Sequence, residues 1–336
     1  GISASSTLIY EENSMSDNQI HQDMLDYYGV HTYHTIDDPN NTYIDHIDCW
    51  GKFLSPQKVL LREVPSSHAQ YDEIEEVVDY FENIPNEYGE SWEIYRVYTP
   101  SNQPYTNSII LNNKVLVPIT NSSWDDDALA AYQEALPGYE ILGFTGSWES
   151  TDALHCRAKG IPDLEMLQIF HNPIDDQTDP QNFYTVEAII DDLSEEGLIE
   201  DEAKVFWWTD EMDNPLEVVM EVCPQDIEDC YLANIPAQTS DGEVKYYIQA
   251  IDLTGRVETL PMAGYYSFDA IGGTPVESGD VNMDGQINVL DIVSVVNYVL
   301  GLGDLTDYQS QLADMNSDGT VNILDIISIV NLIIGN

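Results

Sequence analysis

Basic side chains are scarce in this chain. Ten Lys and Arg stand against 61 Asp and Glu, a formal net charge of −51 over 336 residues. So negative a field repels phosphate backbones and anionic lipid, which excludes nucleic acid and membrane surfaces as partners and favours cations, metal ions and basic peptides. Long hydrophobic runs are also missing. None reaches the ~18 residues of a membrane span, so no membrane insertion is expected. Four cysteines are too few for a disulfide scaffold; Cys223 and Cys230 could close a small loop, while Cys49 and Cys156 have no obvious partner. The start shows no initiator Met and no leader, so the expectation is a processed start or a piece of something longer. Disorder is not expected, because 43% of residues are hydrophobic and 21 are Tyr. The length suggests two or three domains.

What is present is clearest at the C-terminus. Asp280-Val-Asn-Met-Asp-Gly-Gln-Ile-Asn-Val-Leu-Asp291 recurs as Asp314-Met-Asn-Ser-Asp-Gly-Thr-Val-Asn-Ile-Leu-Asp325. Both loops set oxygen-bearing residues at positions 1, 3, 5 and 12 with Gly at 6, the pattern that gathers hard ligands around Ca²⁺. The side-chain ligands are Asp280, Asn282, Asp284 and Asp291, then Asp314, Asn316, Asp318 and Asp325; Gln286 and Thr320 offer backbone carbonyls. A pair of polar turns capping helices is the bland alternative, and a tandem twelve-residue match makes it improbable. After each loop an apolar helical stripe follows: Ile292, Val295, Val296, Val299 and Leu300, then Ile326, Ile329, Val330, Ile333 and Ile334.

This duplication resembles the dockerin module over residues 279–336. The resemblance implies an all-α unit with two F-hand calcium loops, two structural calcium ions and a cohesin-type partner. Many dockerins carry Ser-Thr at loop positions 10 and 11; Val289-Leu290 and Ile323-Leu324 stand there instead. Upstream, β-rich runs such as Val205-Phe-Trp-Trp208, Leu216–Cys223 and Lys245–Asp252 suggest an immunoglobulin-like β-sandwich over 173–271, with Trp207 and Trp208 as core and rim aromatics. Residues 272–278 read as a linker.

Three segments of the first half could carry chemistry. In Tyr43-Ile-Asp-His-Ile-Asp-Cys-Trp50, an extended strand would put His46 and Asp48 on one face. Tyr105–Asn112 is a polar step into a buried strand, and Asp152-Ala-Leu-His-Cys-Arg157 holds a cysteine before a basic residue. Each alone is weak: a His among acids is usually a solvated strand end, and a lone Cys a small buried hydrophobe. A Cys with a separate His is the arrangement of covalent thiol catalysis.

Together with Gly1–Asn13, the segments His46-Ile-Asp48, Thr106-Asn-Ser-Ile-Ile-Leu-Asn112 and Ala153-Leu-His-Cys-Arg157 resemble the Porphyromonas-type peptidyl-arginine deiminases and the related agmatine deiminases. The resemblance implies the later blades of an α/β pentein propeller over 1–172. It makes Cys156 the nucleophile, His46 the acid and base, Asp48 the guanidinium carboxylate and Asn107 an active-site amide, with Tyr43 beside the substrate. Catalysis in this family needs no metal. The substrate would be arginine in a peptide or protein, and an immunoglobulin-like domain after the catalytic one favours that branch over free agmatine. The family's earlier Trp-x-Arg-Asp-x-Gly-Pro segment, which supplies a second carboxylate, has no counterpart here. The expectation is therefore a secreted, dockerin-anchored deiminase of which this chain is an inactive fragment. The alternatives are an agmatine deiminase-like hydrolase, or a calcium-dependent cohesin-binding module without catalysis.

Overall fold

The computed structural model describes residues 2–5, 15–41, 46–86, 88–224, 227–273, 277–282, 285–303, 305, 307–316 and 319–335. They divide into two compact units. The first comprises residues 1–172, 189–203 and 247–265, and the second 173–188, 204–246 and 266–336.

The first unit is dominated by two successive ββαβ elements. In one, β3 (Gly51–Phe53) pairs antiparallel with β4 (Lys58–Glu63), which pairs in parallel with β5 (Glu93–Tyr98). In the other, β6 (Ile109–Leu111), β7 (Lys114–Ile119) and β8 (Glu140–Thr145) repeat that order and sense. A parallel neighbour needs a crossover, and each element supplies a helix for it: Tyr71–Glu82 and Asp125–Ala135. Before them, β1 (Ile2–Ser5) and β2 (Thr32–Thr35) pair in parallel, with α1 (Asp17–Tyr28) between. Ser16 caps α1, and Gly29 ends it at φ 66°, a left-handed conformation that glycine takes without steric cost. The crossover helices Tyr71–Glu82 and Asp125–Ala135 are α2 and α3.

Strand β4 reads Lys-Val-Leu-Leu-Arg-Glu, apolar without alternation because both faces are covered. Val59 and Leu61 join Val77, Val78 and Phe81 of α2 in one core, while Leu60 turns to the other side and joins Val97, Val115, Val117 and Tyr132. One strand thereby contributes to two adjacent cores. The unit also contains the antiparallel pairing of β9 (Leu167–Phe170) with residues 189–192, and of residues 248–251 with the strand Val257–Leu260.

In the second unit the described strand pairs are antiparallel. Residues 204–207 pair with 216–219, 221–222 with 231–232, and 242–246 with 266–270. Cys223 and Cys230 form a disulfide, while Cys49 and Cys156 are free. Trp207 is buried and Trp208 half-buried on the strand Lys204–Thr209. At the C-terminal end of this unit, α4 (Val289–Val299), α5 (Asp307–Ala313) and α6 (Ile323–Gly335) enclose a small core of Val281, Val295, Ala313 and Ile329, with Ile292, Ile326 and Ile333 against it. The expected apolar stripes are buried only at their middles. Val299, Leu300 and Ile334 are exposed, because the last turns of both helices run past so small a core. Among the described residues no helix is long and apolar enough to cross a membrane.

Candidate active site

The loop leading into β6 is the fixed point of the site. Tyr105, Thr106, Asn107 and Ser108 are all buried, which is unusual for a polar run and demands internal partners. They have them. The Tyr132 hydroxyl, from α3, donates to the Tyr105 carbonyl and lies 2.8 Å from the Ser108 hydroxyl, and Tyr105 donates to the Asp125 carboxylate at 2.7 Å. Thr106 Oγ1 donates to the Asp48 carbonyl at 2.9 Å, tying in a second segment. Asn107 ties in a third: its Oδ1 accepts from the His155 amide at 2.9 Å, and its Nδ2 lies 3.0 Å from Cys156 Sγ.

His46 and Asp48 do not lie on a strand. His46 opens a 3-10 turn, Ile47–Cys49, in which the Cys49 amide donates to the His46 carbonyl. The turn still brings the side chains together, with His46 Nδ1 3.9 Å from Asp48 Oδ1. Cys156 sits on a second 3-10 turn, His155–Arg157, which follows a narrow loop closed by pairing of Glu149 with Asp152. Its thiol points at Asp48 Oδ2, 3.3 Å away. The strand Ile109–Leu111 is half-buried rather than buried, with Leu111 outside. Of the predicted catalytic residues, Cys156, His46, Asp48 and Asn107 are thus gathered, and Tyr43 lies outside the described residues.

Two free thiols flank one carboxylate. Burial pushes the Cys156 thiol above its ordinary value; the Asn107 amide works against this and the adjacent Asp48 carboxylate adds to it. Cys49 is pushed much further up, first by burial and then by Asp48. Burial lowers the Lys52 ammonium, and the nearby Asp48 carboxylate works against this. A cationic guest replacing that field at Asp48 would favour the thiolate. Beside the site opens a cleft of about 430 Å³ lined by Lys52, Phe53, Ile109, Ile110, His155 and Ala158.

His155 was not singled out from the sequence, yet its Nδ1 is 2.6 Å from Asp48 Oδ2. Its position directly before Cys156 was the available signal: any turn that presents the thiol to Asp48 presents its neighbour too. Lys52 and Thr106 gave no signal, since their roles come from burial and from a backbone partner 58 positions away.

The calcium loops pass a separate test of fit. Asp291 and Asp325 are fully buried and Asp280 nearly so. The Asp291 carboxylate accepts from the amides of Asn282 and Asn288, and that of Asp325 from Met315 and Asn322. Asp280 accepts from Gly285 and Asp314 from Gly319, so the first and sixth positions are tied in the same way in both loops. Buried anions need positive partners, and no Lys or Arg follows Arg256 in the sequence. The donor set therefore fits a divalent cation with oxygen ligands, held by Asp280, Asn282, Gln286 and Asp291 in one loop and Asp314, Asn316, Thr320 and Asp325 in the other. Asp284 and Asp318 lie outside the described residues.

Comparison with known proteins agrees on both parts. Residues 2–162 match the family profile of Porphyromonas-type peptidyl-arginine deiminase, and residues 278–334 that of the dockerin type I domain. An agmatine deiminase of Medicago truncatula is 23% identical over 180 residues, 42% of this chain and 47% of that protein. Among solved structures, one from Porphyromonas gingivalis, provisionally assigned as an arginine deiminase, covers 46% of this chain and 51% of its own at 19% identity and a TM-score of 0.42. An agmatine deiminase of Enterococcus faecalis covers 43% and 49% at 17% identity and a TM-score of 0.40. The chain spans about half the length of these relatives. It joins a segment that matches the Porphyromonas-type peptidyl-arginine deiminase profile, residues 2–162, to one that matches the dockerin type I profile, residues 278–334.

Proposed function

We propose that this chain is the Cys-bearing segment of a secreted arginine deiminase, acting on arginine in peptides or proteins and held to a cohesin-type partner by its calcium-loaded dockerin. The observation that carries the reading is the meeting of the Cys156 thiol, the Asp48 carboxylate and the His46 ring, with ligand atoms all within 4.8 Å of one another. Asp48 pairs with the guanidinium through charge-assisted hydrogen bonds. The Cys156 S–H bond breaks with its proton passing to His46, and Sγ attacks the guanidinium carbon so that a C–S bond forms. A C–N bond then breaks, and the departing ammonia takes its proton from His46. His46 next removes a proton from water, whose oxygen attacks the same carbon. The C–S bond breaks, leaving citrulline and the free thiol. Asn107 holds Sγ in line and His155 steadies Asp48; the resemblance assigns Tyr43 to substrate binding.

The domain reading goes with this proposal: later pentein blades over 1–172, an immunoglobulin-like spacer over 173–271, a linker over 272–278 and a dockerin with two structural calcium ions over 279–336. The two ββαβ elements and the antiparallel strand pairs support it. The Cys223–Cys230 disulfide supports an oxidising, extracellular location. Free agmatine is the second reading, favoured by the relatives named for that activity. Asp48 is the one guanidinium carboxylate that the resemblance finds in this sequence, so this chain alone is expected to be inactive until the family's earlier Trp-x-Arg-Asp-x-Gly-Pro segment is supplied. The test is release of citrulline and ammonia from an arginine peptide, and of ammonia and the ureido amine from agmatine, by the chain with that earlier segment restored. Release that disappears in Cys156→Ala supports the proposal, with the better substrate choosing the branch. Equal release from Cys156→Ala, or none from either protein, overturns it.

A further inference from the structure

The same three side chains form a different kind of site. His46, Asp48 and Cys156 each offer one atom, and the three atoms lie within 4.8 Å of one another. Cys156 Sγ is 3.3 Å from Asp48 Oδ2, and His46 Nδ1 is 3.9 Å from Asp48 Oδ1. Around a tetrahedral zinc ion, bonds of about 2.3 Å to sulfur and about 2.0 Å to nitrogen or oxygen put neighbouring ligand atoms roughly 3.3–3.6 Å apart. The two contacts reach different oxygens of Asp48, so bringing all three ligand atoms from within 4.8 Å to that spacing takes side-chain rotations that move them by up to about an ångström.

The surroundings favour a metal as well. Two of the three ligands are already held: Asn107 Nδ2 positions Sγ at 3.0 Å, and His155 Nδ1 positions the carboxylate at 2.6 Å, as outer partners do in metal sites. The His46 side chain is 50% exposed and Cys156 opens to solvent, so an ion has a way in and a fourth position for water. Among the described residues, the other close group of this kind, Glu187 with Cys223 and Cys230, has both sulfurs committed to the disulfide.

We propose that His46, Asp48 and Cys156 form a reversible site for zinc or a like borderline-soft divalent ion, whose occupancy shuts the thiol away. Sulfur and imidazole ligands select such ions, whereas the all-oxygen loops of the dockerin select calcium, so one chain sorts two metals. Binding replaces the thiol proton: the Cys156 S–H bond breaks, a sulfur–metal bond forms and the proton goes to solvent. The metal site stands on this geometry alone. That zinc and a guanidinium exclude each other rests on the proposed function.

The test loads the calcium-saturated full chain with Co²⁺, which reports thiolate ligation as a near-ultraviolet charge-transfer band, and titrates it out with Zn²⁺. One equivalent of cobalt should give the band. Cys156→Ser should abolish it, His46→Ala should weaken zinc binding at least about tenfold, and Cys49→Ser should leave it in place. Peptide mapping of the unmodified chain gives a second readout: zinc should protect Cys156 from iodoacetamide. No band and no protection overturns the site, as does a band that survives Cys156→Ser or vanishes in Cys49→Ser. An arginine peptide should displace the cobalt. A band that persists under saturating peptide overturns mutual exclusion and the guanidinium placement, while leaving the metal site intact.

Discussion

If Asp48 is the guanidinium partner, Cys156 should prefer planar cationic electrophiles over neutral ones. The perturbation is a change of reagent: a chloromethyl amidinium against neutral chloroacetamide, which deliver similar carbon electrophiles. Reaction at Sγ places the amidinium about 4 Å from the carboxylate, given the 3.3 Å between Sγ and Asp48 Oδ2. Two unit charges at that distance interact by about 1 kcal/mol in bulk water and about 4 kcal/mol at a partly desolvated surface. The Asp48 side chain is 12% exposed but Cys156 is open, so about 1–2 kcal/mol applies, a preference of about 5- to 30-fold. The assay is the labelling rate of Cys156 by peptide mapping, normalised to each reagent's rate with a free small thiol. Asp48→Asn should bring the normalised ratio close to one, and added salt should shrink it. A ratio near one in the unmodified protein would refute the reasoning, as would a preference that survives Asp48→Asn.

Other consequences concern the scaffold. Tyr132→Phe removes the hydroxyl that bonds Tyr105 and Ser108 in a fully buried place; it should cost about 1–3 kcal/mol in denaturant melts and slow amidinium labelling of Cys156. Chelating calcium leaves the buried Asp291 and Asp325 carboxylates without a counter-ion, so helical signal from the dockerin should fall and return with Ca²⁺, while labelling of Cys156 stays unchanged. The Arg96 guanidinium holds the Glu75 carboxyl below its ordinary value, by hydrogen bond first and by charge second. A lowered carboxyl stabilises the fold above the unfolded value and loses that contribution as pH falls through the folded one. Melting temperatures of the parent and Glu75→Gln should therefore differ near neutrality and converge in acid.

How much could be read beforehand depended on how local each feature is. The calcium loops were legible because every ligand lies within twelve positions and the glycine turn is part of the pattern. The meeting of Cys156 with Asp48 was not readable from spacing, since 108 positions separate them; only the family resemblance put them together. Local reading also misjudged His46 and Asp48. Alternation on a strand predicts a shared face, whereas a 3-10 turn brings them together by curling the backbone. The helical stripes failed at Val299, Leu300 and Ile334 because periodicity reports which face is apolar, not how far the neighbouring element extends. His155 was hidden for a simpler reason, its partner Asp48 being fixed by the Thr106 hydroxyl on a different loop.

The covalent step gives the most direct measurement. The protein, with the family's earlier carboxylate-bearing segment restored, is mixed with an arginine peptide, quenched in acid and digested, and Cys156 is examined by mass spectrometry for a thiouronium adduct carrying the peptide. The adduct should form on Cys156, be absent from Asp48→Asn, and form more slowly in His46→Ala, where departing ammonia lacks its proton donor. An unmodified Cys156 accompanied by citrulline, or an adduct on Cys49 instead, would contradict nucleophilic catalysis at this site.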